Sequence, residues 1–156
     1  FPALGLQLVV GAYRLGARTL IDAWLAHALW SCALPASGPR TTLALADDGW
    51  VSVEGDGGAD ALAHALAIRR AAAQQPLPLF PQAWRAARKA ESDSQRLAAV
   101  EEALVGDEQS QRGALLSRPW VQAFYRDSVP DPSAVLQASR DAYEPIFSQC
   151  VEKGLK

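Results

Sequence analysis

Apolar positions along this chain recur with two different spacings, and the changes between them mark out the elements. Leu6–Arg14 (LQLVVGAYR) is short, β-branched and flanked by glycine, and reads as a strand. Ala17–Leu34 then places Leu20, Trp24, Leu25, Ala28 and Leu29 at helical intervals. Thr19 or Asp22 stands near its start, where oxygen acceptors and negative charge are favoured, and Pro35 with the Ala36–Pro39 turn ends it. Arg40–Ala46 (RTTLALA) and Trp50–Glu54 (WVSVE) read as two strands joined by the turn Asp47-Asp48-Gly49. Gly55–Gly58 breaks the pattern. Asp60 is placed to cap a helix over Ala61–Gln74, in which Leu62, Ala65, Leu66 and Arg69 share a side.

The next stretch is neither strand nor helix. In Gln75–Trp84 (QPLPLFPQAW) three prolines alternate with large apolar residues. Proline fixes φ and drives the preceding residue toward extended backbone, so this run predicts a rigid strap lying on an apolar surface. Helices follow over Gln82–Lys89 and Ser94–Leu104, then a polar loop over Gly106–Gly113. A short aromatic helix, Arg118–Asp127 (RPWVQAFYRD), comes next. Pro130 and Pro132 interrupt the chain, and Ser133–Phe147 forms the last helix, with Pro145 set to kink or stop it. The element order predicts an α/β (α+β) fold, a small mixed sheet packed with several helices.

Length and composition narrow the class. The 156 residues make a single domain or a domain fragment. A net charge of −2 argues against a free-standing nucleic-acid binder but leaves room for a local basic patch. The absence of methionine and the initial Phe1 read as a piece cut from a longer protein. Two cysteines, Cys32 and Cys150, read as buried free thiols in a reducing compartment. No apolar run approaches the length of a membrane span, and Leu4–Val10 lacks the basic leader of a signal peptide.

Catalytic chemistry is hard to assemble from these residues. His27 and His64 lie on separate helices and read as packed or surface residues, and Cys32 does not share a helix face with His27. Asp47, Asp48, Glu54 and Asp56 read as solvated turn acids, and Glu101-Glu102 with Asp107-Glu108 as an exposed acidic edge. Gly55-Asp56-Gly57-Gly58 lacks the Lys-Ser/Thr that completes a phosphate loop. The reading therefore contains no catalytic residue, metal ligand or cofactor. Arg69, Arg70, Arg85, Arg88 and Lys89 flank the strap with no acid between them. They are DNA-binding candidates able to track a phosphate backbone, or a solvated face. Arg69-Arg70 near a helix C-terminus would also complement the helix dipole. Trp84, Trp120 and Phe124 are candidates for a partner interface or for the core; Trp120 and Phe124 share one face by their i, i+4 spacing.

Four segments together resemble one family: VVGAYRLGARTLIDAWLAHALWSCA; the hairpin TTLALADDGWVSVE with ADALAHALAIRRAAAQ; the strap QPLPLFPQAWRAA; and RPWVQAFYRD followed by AYEPIF. Spanning about Leu6 to Phe147, they resemble the carboxy-terminal part of the gamma chain of bacterial exodeoxyribonuclease V, the RecC family. The resemblance implies a PD-(D/E)XK nuclease-like domain that has lost its activity. It also implies RecB and RecD subunits and DNA as partners, a cytoplasmic location and no membrane. Active members of that fold hold Mg²⁺ with an acid and position water with a lysine one residue further along a core strand. By that placement Ala12 stands where the acid would be and Arg14 where the lysine would be, so the resemblance implies a dead site. Arg14 then reads as structural or as a phosphate contact. The alternatives are an active metal-dependent DNA nuclease whose acids lie elsewhere, or an unrelated small protein-interaction module.

Overall fold

In the computed structural model, residues 5–11, 14–33, 39–55, 58–75, 77–106, 115–125 and 130–154 are described, without the side chains of Ser117, Trp120 and Phe124. Four strands and six α-helices lie among them: β1 (Leu6–Val10), α1 (Ala17–Ala33), β2 (Thr41–Ala46), β3 (Gly49–Glu54), α2 (Gly58–Gln74), α3 (Pro81–Ala87), α4 (Asp93–Val105), α5 (Pro119–Tyr125), α6 (Pro132–Phe147) and β4 (Cys150–Gly154). A 3₁₀ turn, Leu115–Ser117, precedes α5. The chain divides into two compact units, one formed by Phe1–Ala73 with Glu144–Lys156 and the other by Gln74–Tyr143.

The first unit is built on one mixed sheet in the order β1-β2-β3-β4. β1 runs parallel to β2, with Leu8 opposite Leu43. Parallel neighbours need a crossover connection, and α1 supplies it. β2 and β3 form the expected antiparallel hairpin, with Thr42 opposite Val53 and Ala44 opposite Val51. Asp48 in its turn accepts a hydrogen bond from the Leu15 backbone N–H at 2.6 Å, fastening the approach to α1. β4 completes the sheet against β3, with Cys150 opposite Val53.

Alternation decides which side of the sheet is core. Successive side chains on a strand point to opposite faces. Thr42, Ala44, Val51, Val53 and Cys150 share one face and are all buried. α1 packs with β2 and β3, and its buried positions are Ala17, Leu20, Ala23, Trp24, His27 and Ala28. The helical stripe is therefore displaced from the expected one, because Leu25 is only half-buried and Leu29 is exposed. A histidine occupies the place of an aliphatic residue, and its polar atoms are accounted for. His27 Nδ1 lies 2.9 Å from Thr42 Oγ1. His27 Nε2 lies 2.9 Å from the Gly55 carbonyl, which can only accept. Thr42 Oγ1 also lies 2.9 Å from the Gln7 side-chain amide; the hydroxyl has a single proton, so it donates to Nδ1 or to Gln7 Oε1, one at a time. This chain of contacts ties α1 to β1, β2 and the exit of β3. Trp24 is buried, as its helical position predicts, and its Nε1 donates to Gln149 Oε1 at 3.1 Å.

Close backbone approach explains two glycines. A Cβ on Gly49 would collide with the Lys153 carbonyl oxygen of β4. A Cβ on Gly58 would stand 2.8 Å from both the Ala28 carbonyl and the Ser31 Cβ, and 3.1 Å from Cys32 Sγ. α2 thus begins against α1 at Gly58, before the expected start at Ala61. Asp60 falls inside the first turn and is not the cap.

The second unit holds the strap. Leu77, Pro78 and Leu79 are half-buried and Phe80 is buried. The Leu79 N–H donates to the Leu77 carbonyl at 2.8 Å, a tight turn around Pro78. Phe80 is extended (φ −123°, ψ 93°) and Pro81 occupies the first turn of α3, as the steric effect of proline on its predecessor requires. The Phe80 N–H donates to the buried Ser139 Oγ at 3.2 Å, which pins the strap to α6. The Phe80 ring lies 6.1 Å from that of Tyr125. α4 opens with a reciprocal cap in which Ser92 and Gln95 satisfy each other's backbone N–H groups.

Several boundaries differ from expectation. β1 stops at Val10, short of the expected Arg14, and Gly11 makes one more bond to the Leu45 carbonyl. Thr19 does not cap α1: its hydroxyl donates back to the Arg14 carbonyl at 3.1 Å, while Asp22 pairs with Arg18 on the surface. α6 continues two residues past Pro145. Cys32 is exposed, against the expectation of two buried thiols; Cys150 is buried. β4 has no counterpart in the sequence reading. The expected Ala36–Pro39 turn lies outside the described residues for all but Pro39, and the Gly106–Gly113 loop for all but Gly106.

Two measurable consequences follow from this packing. Thr42→Val keeps the shape but strips His27 Nδ1 and Gln7 of their shared partner, and a buried group left unpaired costs about 1–3 kcal/mol. The urea midpoint of the Val variant is expected to fall, with Thr42→Ser close to wild type; equal midpoints for Val and wild type would refute the role of the contact. Burial also raises the Tyr143 hydroxyl from its ordinary 10.0 to about 12. The folded state then keeps a proton that the unfolded chain releases, so stability is constant below about pH 10 and declines from there to about pH 12. Denaturation midpoints across that window should decline less steeply in Tyr143→Phe.

Candidate nucleic-acid and partner interface

The cationic residues that the sequence groups around the strap fall in different units. Arg69 and Arg70 lie exposed on α2 in the first unit; Arg85, Arg88 and Lys89 lie in the second, on and just after α3. α2 extends to Gln74, so Arg69 and Arg70 lie before its last turn and gain little from the dipole, whose effect is confined to that turn. Arg85 does occupy the last turn of α3, and the Arg88 N–H closes the helix on the Trp84 carbonyl at 2.8 Å. Arg85 and Arg88 are half-buried, whereas Lys89 is exposed. Arg14 is exposed between β1 and α1. Ala12 and Tyr13, on which the comparison with a metal-holding strand turns, lie outside the described residues.

The aromatic candidates separate as well. Trp84 is 3% exposed and sits with Phe80, Ala83 and Ala87 among the buried residues of the second unit. It has no surface to offer a partner, so the core side of that choice describes it. The side chains of Trp120 and Phe124 lie outside the described residues, although both positions belong to α5. Trp50, half-buried on β3, carries Lys153 Nζ 5.2 Å above its ring, an attraction between a cation and the negative face of the aromatic system. Arg40, itself buried, lies 5.9 Å from the Trp30 ring and donates to the Ser31 carbonyl.

None of the sequence's candidate metal or nucleophile sets comes together among the described residues. Among the described residues, no three His, Cys, Asp or Glu side chains are placed to hold a metal ion. His27 is committed to Thr42 and Gly55, and His64 stands edge-on to Trp24 at 6.4 Å. Asp47, Asp48, Glu54, Glu101 and Glu102 are exposed. No described helix is long and apolar enough to cross a membrane.

The feature that sequence reasoning missed is the sheet face opposite α1. Leu8 and Val10 on β1, Leu45 on β2 and Val151 on β4 lie on that side, at 45%, 73%, 37% and 54% exposure. Leu6, Leu43 and Trp50 add half-buried area between them. β1 and β4 form the edges of the sheet. β4 carries Glu152 and Lys153, the charged residues that blunt an edge, while β1 has no charged residue at all. The signal was present in the uniform apolarity of Leu6, Leu8 and Val10 together with Val9, which marks a strand apolar on both faces.

No curated protein matches this chain. A family model described as the RecC C-terminal domain matches residues 5–92, which takes in the whole β1-to-β3 unit, α2, the strap and α3. That match covers more than half of the chain and includes the strands that carry Leu8, Val10 and Leu45 and the helices that carry the basic residues. The chain belongs to the RecC C-terminal domain family.

Proposed function

We propose that this chain is a non-catalytic scaffold domain of the RecC subunit of the RecBCD helicase-nuclease. In this reading it docks the RecB and RecD subunits and contacts a DNA strand during end degradation and double-strand break repair in the cytoplasm. The observation that carries it is the half-exposed apolar sheet face ending in the uncharged edge strand β1. Contiguous exposed apolar area of this kind marks interaction surfaces, and an unblunted edge offers main-chain hydrogen bonds to a partner strand. The parallel β1–α1–β2 crossover followed by a hairpin is compatible with a PD-(D/E)XK nuclease-like core. Ala12 in place of the metal-binding acid supports loss of activity, since a methyl group cannot ligate Mg²⁺. DNA contact is assigned to the exposed Arg14, Arg69, Arg70 and Lys89. Arg85 and Arg88 are half-buried, on and just after α3, and offer less of their side chains to a strand.

Two experiments test this reading. The chain should co-purify with RecB and RecD and leave single- and double-stranded DNA intact in Mg²⁺ or Mn²⁺. Metal-dependent cutting that is lost in Asp47→Asn or Glu54→Gln would establish the rival, an active nuclease; failure to capture either subunit would favour an unrelated interaction module. Single-stranded DNA binding, followed by fluorescence anisotropy, should weaken with salt at a logarithmic slope of about −0.7 per phosphate contacted. Arg69→Glu with Arg70→Glu should reduce both the affinity and that slope. An unchanged slope would return these arginines to a solvated helix face.

A further inference from the structure

α4 and α6 border a cavity of about 400 Å³ that belongs wholly to the second unit. Asp93, Ser94, Arg96 and Leu97 line it from the start of α4, and Ser133, Leu136 and Arg140 from the first half of α6; its two guanidiniums outnumber the one carboxylate. Its volume falls in the range of small-molecule sites, about 300–1,000 Å³. None of these residues belongs to the basic set around the strap.

The two arginines are differently held, and both have capacity to spare. Arg96 Nη1 donates to Asp93 Oδ1 at 2.9 Å, but the Asp93 side chain is 83% exposed. An ion pair so open to water is worth about 0–1 kcal/mol, so it yields readily to a better-placed anion. Arg96 Nε is buried and has no hydrogen-bond partner among the described residues. An orphaned guanidinium N–H is costly, so this side chain is held below its hydrogen-bonding capacity. Arg140 is exposed and has no ion-pair partner among the described residues.

The backbone at both helix starts is already used. Ser92 and Gln95 cap α4, and Asp131 accepts from the Ser133 and Ala134 N–H groups at 3.4 and 3.1 Å. Gln137, which also faces the cavity, donates to Asp141 at 2.8 Å. An anion here would thus be held by side chains: two guanidinium groups and the hydroxyls of Ser94 and Ser133. A phosphoryl group, with three outward oxygens, can meet two guanidiniums and a hydroxyl at once; a carboxylate has only two oxygens to share. Leu97 and Leu136 supply apolar contact for the organic body that carries the phosphoryl group.

We propose that the cleft between α4 and α6, with Arg96 and Arg140 at its edge, binds a phosphoryl group borne on a small organic body, as in a nucleotide. This site is independent of the RecBCD reading and of the arginines around the strap, and it can be tested on the chain alone.

The test is a titration of the isotope-labelled chain, followed by NMR, with thymidine 5′-monophosphate, inorganic phosphate and thymidine. The monophosphate should shift the amides of Ser94, Leu97, Ser133 and Arg140, thymidine should not, and Arg140→Gln should weaken binding about tenfold. Arg96→Gln should do the same; because Arg96 is partly buried, the exposed Arg140 variant decides the matter if Arg96→Gln unfolds. Inorganic phosphate binding as tightly as the monophosphate would support the phosphoryl site and identify free phosphate as its source. Monophosphate shifts absent from α4 and α6 at millimolar ligand, or undiminished in Arg140→Gln, would overturn the proposal.

Discussion

One face of a four-stranded sheet must be covered by one helix, and most of the first unit follows from that. α1 carries the parallel connection between β1 and β2, so its length is set by the span it has to return over. It buries Leu20, Ala23, Trp24 and Ala28 against Thr42, Ala44, Val51 and Val53. At about 1.5–3 kcal/mol for each large apolar side chain removed from water, this contact outweighs any single polar interaction in the unit. The buried polar groups at its centre, His27 and Thr42, are tolerable only because Gln7 and Gly55 complete their hydrogen bonding. They also give the packing its register. A slip of one residue in β2 would turn Thr42 away from His27 and bring Leu43 in its place.

Covering one face leaves the other open. The sheet turns Leu8, Val10, Leu45 and Val151 away from α1. The second unit has an opposite character. Its apolar strap is covered, with Phe80 and Trp84 buried, and its described surface carries charges of both signs around the α4–α6 cleft. The first unit thus leaves apolar strand residues exposed, whereas the second keeps its apolar strap covered.

Local signals in the sequence were strong where a residue type leaves the backbone little choice. The turn Asp47-Asp48-Gly49, the proline run and the apolar spacing of α1 each placed an element within a few residues. β4 was invisible because its sequence, CVEKG, has weak strand preference; it is a strand because β3 presents an edge for it. The stripe on α1 was misplaced by the same cause. Periodicity alone cannot tell Leu29 from His27, and only the presence of Thr42 and Gly55 makes a histidine the better inward residue. Among site residues, the basic character of Arg69 to Lys89 could be read directly, but their division between two units could not. The cleft was beyond reach for another reason. Arg96 and Arg140 stand far apart in the chain and share a cavity only because α4 and α6 border it within one unit.

The sequence by itself determined the class of fold, the order of its first six elements, the hairpin and the strap, because these rest on periodicity, proline sterics and turn chemistry within a few neighbouring residues. Tertiary structure alone decided which sheet face is covered, that Trp84 is interior, that β4 exists and that two distant arginines share a cavity. Each of these depends on contacts between residues remote in sequence, where burial and pairing with a specific partner override the local preference of the chain.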